Sequence, residues 1–241
     1  MKTIVSKLTI VVVTAIVFTS CAVDMFNKVD GNRNVVSQDR KINTDFTSIK
    51  VSTGIDLYIA QSNNVSLRVE ADENLHDIII TEVSNGVLKV YSEKNIWRAK
   101  ARKVYVAVKD LEELKATSGS DVYSENTLRV SNFKVTTTSG ADARIMVDTE
   151  NLETSATSGS DLKITGKTVN HTSKATSGSS INAYELKSEN VIVRATSGAD
   201  INIYASKSID ARATSAGDID FKGNPRQVNK KSNSGGSVSA Q

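Results

Sequence analysis

The sequence predicts an all-β chain wound as a parallel β-helix, or β-solenoid, with short repeats of about 20 residues and a less regular N-terminal half. Three observations predict it. The phrase Ala-Thr-Ser-Gly-Ser-Asp recurs at Ala116–Asp121, Thr137–Asp142, Ala156–Asp161, Ala175–Ser180, Ala195–Asp200 and Ala213–Asp218, and its glycines, Gly119, Gly140, Gly159, Gly178, Gly198 and Gly217, keep a nearly constant step. The segments between the glycines alternate apolar and polar residues with period two, the mark of half-buried strands. A single proline, Pro225, leaves nearly every backbone N–H free to join a ladder. Self-similarity at this step belongs to stacked repeats, whereas propeller blades need about 40 residues each.

Export is the reading of the first segment. Lys2 and Lys7 precede an apolar run from Leu8 to Phe18, which is too short to span a bilayer but suits a signal core. Ser20 then leads into Cys21, the only cysteine, so no intramolecular disulfide can form. A lone cysteine after a signal core resembles a bacterial lipoprotein cleavage box. On that reading residues 1–20 are a lipoprotein signal peptide, Cys21 is lipidated, residues 21–39 are a tether and residues 40–241 form one β-solenoid domain. Acyl chains anchor stably, each buried methylene contributing about 0.8 kcal/mol. Loss of Lys2 and Lys7 leaves 28 cations against 27 acids, a net charge of +1 that points to no partner. Nucleic acid is not expected.

Residues 40–110 are read as the irregular half. Phe46–Ile59 has strand, Gly54 corner and strand, and alternation continues at Val65–Val69, Ile78–Ile80, Val87–Val90 and Val104–Val108, with Asn85-Gly86 as a tight turn. Hairpins here are expected to cover the end of the stack, because an open β edge invites aggregation.

In the regular repeats, Val191, Val193, Ala195, Ser197, Ile201 and Ile203 read as inward. The equivalent sets are Leu152, Ala156, Ser158, Leu162 and Ile164; Phe133, Val135, Ser139, Ala143 and Ile145; and Ile209, Ala211, Ala213, Ser215, Ile219 and Phe221. Two strands and two corners fit in each repeat. A fainter seventh copy follows at Gly236.

Phe46-x-x-Ile49-x-Val51-Ser52-x-Gly54-Ile55-Asp56-Leu57-Tyr58-Ile59, the Ser-Gly-Ser-Asp series and Gly223-Asn224-Pro225 together resemble the family of putative auto-transporter adhesins with a head GIN domain, over roughly residues 40–238. The resemblance implies a β-helical extracytoplasmic protein with an inferred adhesive role, and it carries over no catalytic residues.

Stacking would turn each repeat position into a column. The acidic one is Asp56, Asp121, Asp142, Asp161, Asp200 and Asp218, interrupted by Ser180. Carboxylates about 4.8 Å apart repel by roughly 0.9 kcal/mol even in water, so either backbone N–H bonds of Asx turns or a cation such as Ca²⁺ must offset them. The nine-residue glycine-rich repeat of calcium β-rolls is absent. Beside the acids runs a hydroxyl column, Ser52, Thr117, Thr138, Thr157, Thr176, Thr196 and Thr214, and Lys174, Arg194 and Arg212 form a basic strip that suits an acidic polymer or balances the acids. A second basic cluster, Lys94, Arg98, Lys100, Arg102 and Lys103, surrounds Trp97.

Catalysis finds little support. His171 falls on an inward position, His76 lies far off in sequence, and no Ser-His-Asp set stands out among the many serines and aspartates. No metal site, zinc included, and no cofactor is expected. The reading is a non-enzymatic, lipid-anchored cell-envelope protein of the outer membrane, periplasmic or surface-exposed. Its partners would be the membrane through its lipid and an extracellular glycan or surface protein. A polysaccharide-lyase-like enzyme and a periplasmic envelope scaffold or sensing module are the alternatives.

Overall fold

The computed structural model describes residues 28–42 and 45–241; the signal segment and Cys21 lie outside the described residues. Of the segment expected as a tether, Lys28–Asp30 forms β1 and Val35–Arg40 begins as β2. The irregular half continues with β3 (Ser48–Val51), β4 (Asp56–Gln61), β5 (Ser66–Asp72), β6 (Ile79–Ser84), β7 (Val87–Ser92), β8 (Asn95–Arg98) and β9 (Arg102–Val108). The regular coils are β10 (Glu113–Thr117), β11 (Asp121–Ser124), β12 (Leu128–Thr138), β13 (Asp142–Thr157), β14 (Asp161–Thr176), β15 (Ser180–Ala183) and β16 (Leu186–Thr196). They end with β17 (Asp200–Tyr204), β18 (Ser208–Thr214), β19 (Asp218–Lys222), β20 (Gln227–Ser232) and β21 (Ser237–Ala240). The result is a parallel β-solenoid of about seven turns, about 19 residues apart.

Period-two alternation produces the core directly. After the glycine corner, Val104, Leu57, Val122, Ala143, Leu162, Ile181, Ile201 and Ile219 lie side by side in register and all are buried. Before the corner, Val90, Val51, Ala116, Thr137, Ala156, Ala175, Ala195 and Ala213 do the same. Small residues in the second column let the two sheets close on each other near the corner. Each buried Val, Leu or Ile contributes about 1.5–3 kcal/mol, and each coil receives that gain only through its neighbours.

Chain order and stacking order differ in the first half. The turn built by β3 and β4 is sandwiched: β7 and β9 pair with it on one side, β10 and β11 on the other, all parallel. Beyond β7 and β9 the ladder turns antiparallel, through β6 on one face and through β5 and then β2 on the other. These hairpin strands cover the N-terminal end as expected. Asn85 and Gly86, with φ of 54° and 73°, make the two-residue turn between β6 and β7.

A residue not singled out in the sequence organises this cap. Asp72 is fully buried and accepts backbone N–H bonds from Arg33 at 3.0 Å, Lys100 at 3.1 Å and Ala101 at 3.0 Å. Burial pushes the Asp72 carboxyl up, but these donors outweigh it and hold it below the usual carboxylate range.

The glycine corner corrects the inward set. Ser139, Ser158, Ser197 and Ser215 are exposed and left-handed, with φ between 51° and 57°. The inward position is instead the residue after the glycine: Ser120, Ala141, Ser160, Ser179 and Ala199 are buried. Two consecutive left-handed residues turn the chain through one extra position, so alternation cannot be extrapolated across the break. The glycine N–H then donates to the serine carbonyl of the next coil, as in Gly159 to Ser177 at 3.2 Å.

In the last coils the glycines shift by one place. Ala216 (φ 59°) and Gly235 (φ 76°) take the left-handed slot, and Gly217 and Gly236 take the inward one. A Cβ on Gly217 would lie 2.6 Å from the Ala195 backbone carbon, whereas one on Gly159 would meet nothing within 4 Å. Adjacent substitutions should therefore act in opposite directions. Ala216→Gly relieves left-handed strain and raises stability by about 1 kcal/mol, while Gly217→Ala lowers it by about 1–3 kcal/mol through a backbone clash. Thermal melts of the two variants read the difference; equal shifts would contradict the corner assignment.

Candidate functional site

The predicted columns flank the glycine corner. Strand register places Lys103, Asp56, Asp121, Asp142, Asp161, Ser180, Asp200, Asp218 and Ser237 in one line. The acidic column is thus assembled as the repeat spacing implied, and Lys103 precedes its first carboxylate. Thr117, Thr138, Thr157, Thr176, Thr196 and Thr214 form the hydroxyl line. In five coils that threonine hydroxyl lies 3.3–3.4 Å from the exposed corner serine hydroxyl, as in Thr157 with Ser158.

Among the described residues the aspartates of the column do not cap their own corners. Serines do that work: Ser120 and Ser179 hydroxyls donate to the Thr117 and Thr176 carbonyls at 2.7 and 2.9 Å, and Ser160 accepts the Thr157 N–H at 3.1 Å. The carboxylates are left facing one another. Burial pushes the Asp121 carboxyl up, its neighbour Asp142 adds to the rise, and Arg102 and Arg144 pull it back. Burial and Asp142 likewise raise Asp161. At Asp56 burial leads, opposed by Arg102. Among the described residues no group of three His, Cys, Asp or Glu side chains is placed to hold a metal ion.

Lys174, Arg194 and Arg212 stand in register, and the strip is longer than the repeats alone suggest. Lys231 extends it at one end, and Lys115, Lys50 and Lys89 resume it beyond Thr136 and Ser155. Arg194 is neutralised by Asp210 at 2.6 Å, not by the acidic column. Burial of Asp210 is outweighed by hydrogen bonds from Arg194 and Asn229, which hold its carboxyl low. Lys174 and Arg212 make no ion pair among the described residues.

Two further columns escaped the sequence reading. Tyr105, Tyr58 and Tyr123 stack with centroids 4.9 and 5.3 Å apart, closed by Arg68 over Tyr105 and Arg144 over Tyr123. Their equivalence was available, since Tyr58 and Tyr123 each follow a column aspartate by two residues. At the opposite corner Asn151, Asn170 and Asn190 each donate to the asparagine before them, Asn132, Asn151 and Asn170, at 2.8–3.2 Å. Such amide ladders are a product of in-register stacking.

His171 is inward and 1 % exposed, with Leu152 and Val191 as its stacked neighbours. Its Nε2 lies 2.9 Å from the Thr154 hydroxyl, which in turn bonds Ser173 at 3.0 Å. The His171 Nδ1 is buried without a hydrogen-bond partner among the described residues, so the polar inclusion is only partly satisfied. Burial drives its pKa down to about 3. Of the second basic cluster, Arg98, Lys100, Arg102 and Lys103 gather with an exposed Trp97 in one hollow beside the N-terminal cap, whereas Lys94 is not among its lining residues.

Residues 45–225 match the family described as "Putative auto-transporter adhesin, head GIN domain". No curated protein matches the chain. Solved structures share its fold. A putative adhesin from Bacteroides fragilis superposes with a TM-score of 0.82 at 20% identity, covering 88% of this chain and 100% of that one. A putative lipid binding protein from Parabacteroides distasonis gives 0.73 at 21%, covering 89% and 99%. A putative adhesin from Parabacteroides merdae gives 0.70 at 20%, also covering 89% and 99%.

Two titrations follow from this electrostatics. Because the folded Asp121 pKa lies above its unfolded value, its contribution favours folding below that unfolded value and is lost as pH rises through the folded one. Asp121→Asn should therefore stabilise the fold at pH 7 by up to about 0.5 kcal/mol after solvent screening. The gain should vanish in acid, as thermal melts against pH will record. His171 has the opposite sign: neutral in the fold, it protonates in the unfolded chain, so stability is lost from pH 6.5 down to about 3. The loss per pH unit is about 1.4 kcal/mol. His171→Leu, which copies Leu152, should flatten that limb; an unchanged acid profile would refute the assignment.

Proposed function

The chain belongs to the putative auto-transporter adhesin, head GIN domain family, and from that membership we propose a non-enzymatic, lipid-anchored protein of the cell envelope that uses its solenoid as an adhesive surface. The observation that carries this reading is the even distribution of function-bearing side chains. Among the described residues carboxylates, cations, hydroxyls and tyrosines run along the stack in register, spread over successive coils instead of gathered in one groove. A polysaccharide-processing enzyme would require convergence. A rigid row of weak sites instead gains by multivalency, since each contact raises the effective concentration of the next.

Among the described residues no helix is long and apolar enough to cross a membrane. In this proposal attachment is supplied by lipid on Cys21, which follows the apolar run Leu8–Phe18, and the outer membrane is the site of the anchor. Asp121, Asp142, Asp161, Asp200 and Asp218 on one side of the corner and Lys174, Arg194 and Arg212 on the other would meet the partner, an extracellular glycan or surface protein. Lys174 and Arg212 are the better-placed cations, because Arg194 is already held by Asp210.

Metabolic labelling with a fatty acid, followed by protease shaving of intact cells, tests both halves. The wild-type chain is expected to take up label and Cys21→Ser to lose it. Shaving is expected to remove the solenoid from intact cells. A labelled but fully protected protein would favour a periplasmic scaffold over an adhesin. The double variant Lys174→Glu with Arg212→Glu should weaken attachment to an anionic surface by about tenfold, an effect that salt erases.

A further inference from the structure

One concavity, at the N-terminal end of the acidic column, combines an exposed aromatic ring with cations that make no ion pair among the described residues. It lies beside the N-terminal cap, between the end of β8 and the start of β9, with a volume of about 450 Å³. Trp97, the only tryptophan in the chain, forms one wall and is 56% exposed. Lys28 sits 3.8 Å from the ring centroid over one indole face. Arg33, Arg98, Lys100 and Arg102 line the remainder together with Lys103, and Asp56 is the one acid. Among the described residues the first four of these cations make no ion pair, whereas Lys103 is bound to Glu70 at 3.4 Å.

The pocket is also held in shape. Gly31 N–H donates to the Arg98 carbonyl at 2.7 Å, and buried Asp72 fixes the backbone of Arg33, Lys100 and Ala101. The positions of three cationic residues are therefore set by main-chain bonds before any ligand arrives, which lowers the ordering cost of binding. Against the single carboxylate of Asp56 these cations leave an excess of positive charge around the hollow, which an anion at its centre would offset.

We propose that this pocket binds an anionic saccharide: a sugar ring lies on the exposed indole of Trp97 while its carboxylate, sulfate or phosphate takes bidentate bonds from Arg98 or Arg102, with Lys100 and Arg33 supplying further charge. Aliphatic C–H bonds of a sugar carry partial positive charge and suit the negative face of the indole. Guanidinium matches the planar fork of carboxylate and the oxygens of sulfate or phosphate. A bilayer surface fits less well, because the wall is concave and the apolar residues beside Trp97 in the lining are only Ala99 and Ala101.

The proposal rests on the surface-binding reading above and narrows it to one ligand class and one place. Because Trp97 is the sole tryptophan, its emission reports on this pocket alone. The full chain carrying Cys21→Ser would be titrated with a sulfated hexasaccharide, a galacturonate hexasaccharide, neutral maltohexaose and phosphatidylglycerol vesicles. An emission change with the anionic sugars, and none with maltohexaose, is expected. Trp97→Ala, followed by calorimetry, should weaken binding about tenfold and leave its salt dependence intact. Arg98→Gln should weaken binding and flatten the salt dependence, and Lys207→Gln, an equal charge change elsewhere, should do neither. Equal losses in Arg98→Gln and Lys207→Gln would reduce the effect to net charge and overturn the pocket. Preference for vesicles over the sugars would overturn it in favour of a membrane surface. Sugar binding that spares Trp97 emission sinks the pocket but keeps the adhesive reading, whereas protection from shaving sinks the adhesin and leaves the pocket standing.

Discussion

Parallel, in-register stacking is the constraint on which everything else in this protein depends. Neighbouring coils lie about 4.8 Å apart, and each residue faces the same repeat position above and below. Apolar positions gain from this arrangement, since Leu162 between Ala143 and Ile181 is sealed from water by both. Charged positions are penalised by it. The coil cannot bury its own hydrophobic face, so the core exists only as a property of several coils together.

That geometry explains the surface as well as the core. Side chains able to bond their own kind do so: tyrosines stack and asparagine amides form a ladder. Those unable to do so remain in tension, which is why burial and a neighbouring carboxylate together push Asp121 and Asp161 upward. Ser180 interrupts the acidic line midway and separates Asp161 from Asp200. The basic strip meets the same difficulty by two routes, dilution through Thr136 and Ser155 and a direct bond from Arg194 to Asp210. A surface assembled in this way is repetitive and pre-organised.

Each end of the stack is finished differently. Antiparallel strands and buried Asp72 close the N-terminal side and, in doing so, fix the backbone around Trp97. At the other end Lys230 stands in the column of Ala211 and reaches over the Phe221 ring at 5.7 Å. A cation on the last coil makes that face a poor template for further pairing.

Repeat spacing alone was enough to determine the β-solenoid, the alternation that fills its core, and the alignment of the column residues within the regular coils, because these follow from period two and from a nearly constant step between glycine corners. It also announced the Asn85-Gly86 turn and the inward place of His171. Tertiary structure decided the rest. Which residue at a corner points inward depends on how many positions the left-handed turn consumes, so Ser197 faces out, Ala199 faces in, and Gly217 occupies a different slot from Gly198. Likewise, Lys103 joins the acids through a strand pairing, and Arg33 joins Lys100 and Ala101 about Asp72, between segments far apart in the chain. Local pattern encodes which face of a strand is apolar; it does not encode the partner across an irregular crossover, and that partner is chosen by the packing of the whole chain.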